Sequence, residues 1–210
     1  MIELKNISIV SGSFALRDVS LSLQHGEYVA LMGRTGQGKT TILEAIAGLR
    51  MVTSGDILMD GRNVTRLAPA ERGVGYVPQD LALFPTMTVR ENVGFALKVR
   101  GVAKAERDAR VHDVAEWLGI SRLLDRRVTM LSGGEAQRTA LGRALSFKPK
   151  VLLLDEPFSA LDDETRQEMH ALMVSVRTHT GVTVLHVTHN RAEATALADR
   201  VIQLEAGAIQ

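Results

Sequence analysis

The sequence predicts an α/β fold with a mostly parallel central sheet and helices on both faces, and three observations carry that expectation. Short apolar runs alternate with stretches of helical periodicity along much of the chain. The run Val151, Leu152, Leu153 and Leu154 is too short for a helix and apolar on both faces, the pattern of a strand covered on each side. A glycine-rich turn after Met32 separates an apolar strand from a helix, as in a right-handed strand-helix-strand crossover.

Taken in order, Ile2, Leu4, Ile7 and Ile9, then Val19, Leu21 and Leu23, then Tyr28 to Met32, then Ile57 to Met59 read as strands. Turns are expected at Gly12, at His25 and Gly26, and at Asp60 and Gly61. Between the third and fourth strands, Ile42, Ala45, Ile46 and Leu49 fall at helical spacing and predict a helix over 39–49. Residues 75–78 read as a short strand, followed by a loop rich in apolar residues from Leu81 to Met87. From about Thr88 to Ser146 the pattern is helical, with Val111, Val114, Ala115 and Leu118 forming one stripe and Trp117 at its edge. Asp162 is placed to cap a helix that buries Met169, Leu172, Met173 and Val176 and stops at Gly181. Residues 182–187 form the next strand, 192–198 a short helix, and a hairpin around Gly207 closes the chain. The reading is therefore one domain over 1–210: a core of about 1–87 and 147–210 with a helical insertion at about 88–146, and an N-terminal antiparallel β part.

Composition narrows the function. The 210 residues carry 25 basic and 24 acidic side chains and a formal charge of +1, so a nucleic-acid partner held mainly by phosphate contacts is disfavoured. Aromatic residues make up only 4% of the chain, too few for a base-stacking surface. The absence of cysteine excludes a disulfide framework, a thiolate metal site and a cysteine nucleophile. The start has no signal-peptide pattern, and no segment reaches the ~18 uninterrupted apolar residues of a spanning helix.

The chemistry begins at Gly33, Arg34, Thr35, Gly36, Gln37, Gly38, Lys39 and Thr40, which match G-x-x-x-x-G-K-[ST] between a strand and a helix. With Thr41 following, this stretch reads as a phosphate-binding loop. Its glycines let backbone N–H groups turn inward around phosphate oxygens, and the helix adds about half a positive charge at its start. Lys39 supplies a point charge for the β- and γ-phosphates, and the Thr40 hydroxyl a ligand for Mg²⁺. A site that hydrolyses its nucleotide needs further carboxylates. The central strand delivers Asp155, placed to hold Mg²⁺ through water, and Glu156, placed to accept a proton from the attacking water.

These residues alone describe a P-loop nucleoside triphosphatase of unspecified type. Leu131, Ser132, Gly133, Gly134 and Glu135 add a second anion-binding helix start, which one subunit does not need for one triphosphate. In combination, the motifs resemble those of the ATP-binding cassette (ABC) ATPases, over about Ile2 to Ile209; within that family Val77 to Asn92, His186 to Asn190 and Glu193 look most like the importer ATPases for oxyanions such as molybdate, tungstate or sulfate, and more loosely those for polyamines and sugars. The resemblance implies that Gln79 contacts Mg²⁺ and the attacking water, that His189 touches the γ-phosphate, and that Ser159 to Asp162 form the loop facing a second cassette. It implies further that two cassettes pair head to tail, with ATP between the P-loop of one and Ser132, Gly133 and Gly134 of the other. The expected cofactors are ATP and Mg²⁺. The expected partners are a second cassette, transmembrane permease subunits and a solute-binding protein, with the chain on the cytoplasmic face of the membrane. The loop from Leu81 to Met87 is the expected permease contact.

Two positions depart from the family pattern. The adenine-stacking aromatic would fall near Ser11, so either Phe14, three positions later, stacks on the base or the ~1–3 kcal/mol typical of such stacking is partly missing, and Glu135 stands where glutamine is common. Relatives of this kind often carry a C-terminal β domain, and the expectation here is a cassette without one. The alternatives are a soluble ABC ATPase of DNA repair or translation, disfavoured by the missing zinc cysteines and heptad arms, and a P-loop small-molecule kinase. The kinase would leave Ser132 to Gly134 and His189 without a role.

Overall fold

The computed structural model describes residues 1–12, 14–205 and 207–209, with the side chains of Ser11 and Ala208 outside the description. Two sheets organise these residues. β1 (Ile2–Ser11), β2 (Phe14–Leu23), β4 (Ser54–Met59) and β5 (Arg62–Asn63) form an antiparallel sheet in the order β2-β1-β4-β5. β3 (Tyr28–Met32), β6 (Val74–Val77), β7 (Val151–Asp155), β8 (Thr183–Val187), β9 (Arg200–Glu205) and β10 (Ala208–Ile209) form the second, ordered β10-β9-β3-β8-β7-β6. It is parallel throughout except at β10, which returns antiparallel to β9.

The helices are α1 (Lys39–Ala47), α2 (Pro69–Arg72), α3 (Val89–Val99), α4 (Lys104–Trp117), α5 (Gly133–Leu145), α6 (Asp163–Thr180) and α7 (Arg191–Leu197). Alternate residues of β7 serve two cores. Leu152 and Leu154 pack with the apolar stripes of α3, α4, α5 and α6, whereas Val151 and Leu153 pack with α1 and the antiparallel sheet. Each such leucine contributes about 1.5–3 kcal/mol on burial, so the two-faced strand ties α3 to α6 on one side to α1 and the antiparallel sheet on the other. The expected stripe of Val111, Val114, Ala115 and Leu118 is fully buried, and Trp117 packs at its margin.

Some details differ from the sequence expectation. α1 ends at Ala47 with Gly48 in the left-handed conformation, so Leu49, expected on the buried stripe, turns out to solvent at 59% exposure. The two-residue β5 and the single-turn α2 were too short to leave a periodic signal. α2 nevertheless matters for the site. Its Arg72 is buried and donates to Ala45 O at 2.7 Å and Ile46 O at 3.1 Å, capping the helix that begins at the P-loop. No helix of the described residues is long and apolar enough to cross a membrane.

Candidate functional site

The carboxyl ends of β3, β7 and β8 meet at one edge of the parallel sheet, and the predicted chemistry gathers there. The loop after β3 folds through three glycines of positive φ, Gly33 at 158°, Gly36 at 82° and Gly38 at 99°. A Cβ on Gly33 would stand 2.6 Å from Leu204 O, and one on Gly38 would stand 2.6 Å from Phe14 Cζ and 2.9 Å from Leu16 Cδ1. The loop thus lies directly on β9 at Gly33 and on β2 at Gly38, at positions where only glycine fits. Lys39 is 5% exposed and donates to Gly33 O at 2.8 Å and Arg34 O at 3.0 Å, which holds its ammonium over the turn. Gln37 Oε1 accepts from Arg34 N at 3.2 Å and braces the same turn. Arg34, Thr35, Thr40 and the turn itself face solvent, and Thr41 is half-buried in the first turn of α1.

Across the strand edge, Thr40 Oγ1 donates to Asp155 Oδ1 at 3.1 Å. Asp155 is only 2% exposed. Burial pushes its carboxyl up, and the neighbouring charges of Glu156 and Glu44 add to the rise, while the Thr40 hydrogen bond and Lys39 oppose it. A buried carboxylate next to a hydroxyl and two further carboxylates is a hard-oxygen donor set whose charge a divalent cation relieves. Mg²⁺ fits these residues on that ground, since such sites supply one or two protein oxygens and leave the rest to phosphate and water. Tyr76 on β6, which the motif reading missed, stands close enough to Asp155 for the two charges to interact. Burial, followed by the charges of Asp155 and Glu44, holds that phenol above its usual range.

Glu156 follows Asp155 with φ at 45°, a left-handed conformation costly for any residue but glycine and found where a side chain must be aimed. Its N–H donates to Val187 O at 2.9 Å, locking the end of β7 to that of β8. The carboxylate then meets His189: Glu156 Oε2 lies 3.0 Å from His189 Nδ1. Asp155, Glu156 and His189 therefore occupy adjacent strand ends, although 33 residues separate the last two.

The remaining predicted residues lie in other places. Ser132 caps α5, accepting from Glu135 N at 3.3 Å while Glu135 Oε2 accepts from Ser132 N at 3.0 Å. That reciprocal pair accounts for Glu135, since a carboxylate at the third helical position completes a capping box, and Arg122 and Arg126 approach it at 3.6 and 3.9 Å. Gly134 packs so close to α6 that a Cβ would lie 2.7 Å from Thr165 Cγ2, and a Cβ on Gly133 would touch Leu161. Asp162 caps α6, accepting from Thr165 N at 2.9 Å and Thr165 Oγ1 at 2.8 Å; these bonds hold its carboxyl low. Ser132 to Gly134 and Asp162 thus form one surface beside α6, and among the described residues no hydrogen bond joins that surface to the P-loop. Gln79 is exposed and makes no hydrogen bond to the Asp155 cluster among the described residues. The loop after it is pinned by Arg143, which donates to Leu81 O at 2.7 Å, and by Asn92, which accepts from Phe84 N at 2.9 Å. Leu81 and Leu83 pack on the core, and Ala82, Pro85 and Thr86 face solvent. Phe14 packs its ring against Gly38; the side chain of Ser11, where the stacking aromatic would fall, lies outside the described residues.

A family profile for ABC transporters matches residues 16–159, which include the P-loop, Asp155, Glu156 and the Ser132 to Gly134 turn. The chain belongs to the ABC transporter family. The cassette is 50% identical over 188 residues to the molybdate/tungstate import ATP-binding protein WtpC of Thermococcus kodakarensis, covering 90% of this chain and 57% of that protein. It is 46% identical to the sn-glycerol-3-phosphate import ATP-binding protein UgpC 1 of Rhizobium johnstonii, covering 91% and 52%. It is also 46% identical to the maltose/maltodextrin import ATP-binding protein MalK of Yersinia pestis, covering 92% and 52%. The chain spans about half the length of these curated relatives. Among solved structures, a dimeric bacterial ABC transporter cassette, MJ0796, superposes with a TM-score of 0.88 at 31% identity, covering 100% of this chain and 97% of that one. A post-hydrolysis dimer of the same cassette, bound to ADP and Pi, superposes equally well at 30% identity.

Proposed function

We propose that this cassette binds and hydrolyses ATP to drive an ABC importer. One observation carries the reading: the Thr40 to Asp155 hydrogen bond and the Glu156 to His189 contact stand side by side at the strand ends next to the P-loop lysine. In this reading the inward N–H groups of residues 33–41 and Lys39 bind the phosphates, and Phe14 supplies the contact to the base. Thr40, Asp155 and Gln79 hold Mg²⁺, which when bound neutralises charge on the β- and γ-phosphate oxygens. Glu156 accepts the proton of the attacking water, and His189, held on Glu156, contacts the γ-phosphate. Ser132, Gly133, Gly134 and Asp162 face the ATP of a second cassette in a head-to-tail pair, consistent with their distance in hydrogen bonding from this chain's own P-loop and with the dimeric neighbour. The single domain over 1–210, with its helical insertion at about 88–146, is the motor, and its load is a permease in the membrane, contacted through the Leu81 to Met87 loop. A solute-binding protein completes the assembly, and the cassette sits on the cytoplasmic face.

The names of the relatives span oxyanions, a phosphorylated glycerol and sugars; we propose an inorganic oxyanion, in line with WtpC. Removing the cassette should abolish cellular uptake of labelled molybdate and leave maltose uptake intact, and the opposite result assigns a sugar. For the chemistry, Glu156→Gln should leave ATP affinity within a few-fold, lower hydrolysis by about 10²–10⁴-fold and accumulate an ATP-bound dimer on size exclusion. An unchanged rate overturns Glu156 as the base.

A further inference from the structure

Behind the site lies a buried polar cluster that the reading above leaves without a role. Glu193, in the first turn of α7, is 3% exposed. Its Oε2 accepts from Thr188 Oγ1 at 2.7 Å, and its Oε1 accepts from Asn190 Nδ2 at 3.4 Å. Thr188 Oγ1 in turn accepts from Asn190 N at 3.0 Å, and Asn190 Oδ1 caps α7 through Ala192 N at 2.9 Å. Both backbone neighbours of His189 are therefore anchored to one carboxyl group, while His189 itself projects to the surface and to Glu156.

The carboxyl group is fixed from its other side as well. Arg166 Nε, on α6, lies 3.7 Å from Glu193 Oε1, and an Arg166 terminal nitrogen donates to Leu161 O in the turn that leads to Asp162. His186 Nε2 lies 3.9 Å from Glu193 Oε2, with the His186 ring held by Tyr28 Oη at 3.1 Å and by the edge of Phe158. Among the described residues, Arg166 Nε, His170 Nε2 and His186 Nε2 are buried without a hydrogen-bond partner. Such a cluster is less favourable than apolar packing of the same volume, because desolvated polar atoms are incompletely paired. What the arrangement provides in return is a fixed backbone at residues 188–190 and a link from there to Leu161.

We propose that Glu193 is a positioning residue for hydrolysis: through Thr188 and Asn190 it sets His189 on Glu156, and through Arg166 it ties that pair to the turn carrying Asp162. The inference rests on the ATP-hydrolysis reading and adds to it a residue that touches neither nucleotide nor metal. It acts on the geometry of the reacting groups, where a displacement of about 1 Å can lower a rate by 10²-fold, and leaves the P-loop contacts alone.

The test uses steady-state and single-turnover ATP hydrolysis with Thr188→Val, which keeps the side-chain shape and removes the hydroxyl, and Glu193→Gln, which keeps the shape and one acceptor. Each is combined with His189→Ala, and folding is followed by circular dichroism. The expected result is a fall in kcat of about tenfold or more in Thr188→Val with the KM for ATP within about twofold. A smaller fall is expected in Glu193→Gln, with no further loss from either substitution once His189 is alanine. A folded Thr188→Val or Glu193→Gln protein with wild-type kcat overturns the proposal. So does a loss of full size in the His189→Ala background, which marks a structural effect. A wild-type cassette that binds ATP without hydrolysing it overturns the underlying reading instead, so the two failures are distinguishable.

Discussion

Lowering the pH from 7 to 5 should remove about 2 kcal/mol of folding stability through the single side chain of His186. The ring is fully buried against Tyr28 and Phe158, and burial, followed by the nearby His170, pushes its pKa down from 6.5 to about 3. A folded-state pKa below the unfolded one means that the stabilising form is neutral. The contribution is complete above pH 6.5 and is lost as the pH falls from 6.5 toward about 3, because only the unfolded chain takes up the proton. At pH 5 the unfolded imidazole lies 1.5 units below its pKa of 6.5, and at about 1.36 kcal/mol per unit this amounts to about 2 kcal/mol. The titratable groups around the ring are Tyr28 from β3, Glu193 from α7 and His170 from α6, with Arg166 set against Glu193. Tyr28 stays protonated over this range, since burial raises its pKa. Urea unfolding at pH 7 and pH 5, followed by circular dichroism, measures the difference directly. His186→Gln keeps a partner for the Tyr28 hydroxyl and does not titrate, so it should lose about 2 kcal/mol less than wild type between the two pH values. Parallel losses in the two proteins would refute the reasoning.

Three further substitutions test other parts of the architecture. Gly38→Ala introduces a Cβ at φ 99° and 2.6 Å from Phe14 Cζ; it should cost about 1–3 kcal/mol and weaken binding of a fluorescent ATP analogue by more than tenfold, and unchanged affinity would contradict the loop geometry. Phe14→Ala should weaken the same binding by about 1–3 kcal/mol if the ring supplies the base contact, whereas unchanged affinity confines Phe14 to packing beneath Gly38. Arg72→Met removes the donors to Ala45 O, Ile46 O, Leu67 O and Thr65 O; thermal unfolding should show a loss of about 2–4 kcal/mol, and a wild-type melting temperature would show that water replaces the cap.

Much of the fold was legible because its signals are local. A two-faced strand at 151–154, a capped helix after Asp162, and a glycine loop before α1 each follow from residues within a few positions of one another. The P-loop was legible for the same reason, since all its ligating groups come from one short segment. Elements without a period, β5 and α2, left no such trace, and Arg72 was missed with them. Glu193 lies near a helix start, where most acidic residues are solvated, so its burial against Thr188 and Asn190 has no local signal. Tyr76 read simply as part of a strand, and nothing nearby in the chain indicates that it lies beside Asp155.

The sequence by itself thus determined the class of chemistry, because residue types and short spacings specify what a phosphate loop, a strand-end carboxylate pair and a capped helix can do. It also explained Glu135 once the cap was recognised, for a capping box is a contact within four residues. Only the tertiary structure decided which of these groups meet. Whether Thr40 bonds Asp155 across 115 positions, or Glu156 meets His189 across 33, depends on strand order in the parallel sheet. The separation of Ser132 to Gly134 from the P-loop was decided in the same way, by packing of α5 on α6. Long-range pairing is set by the summed burial of two cores rather than by any local preference, so no short segment carries it.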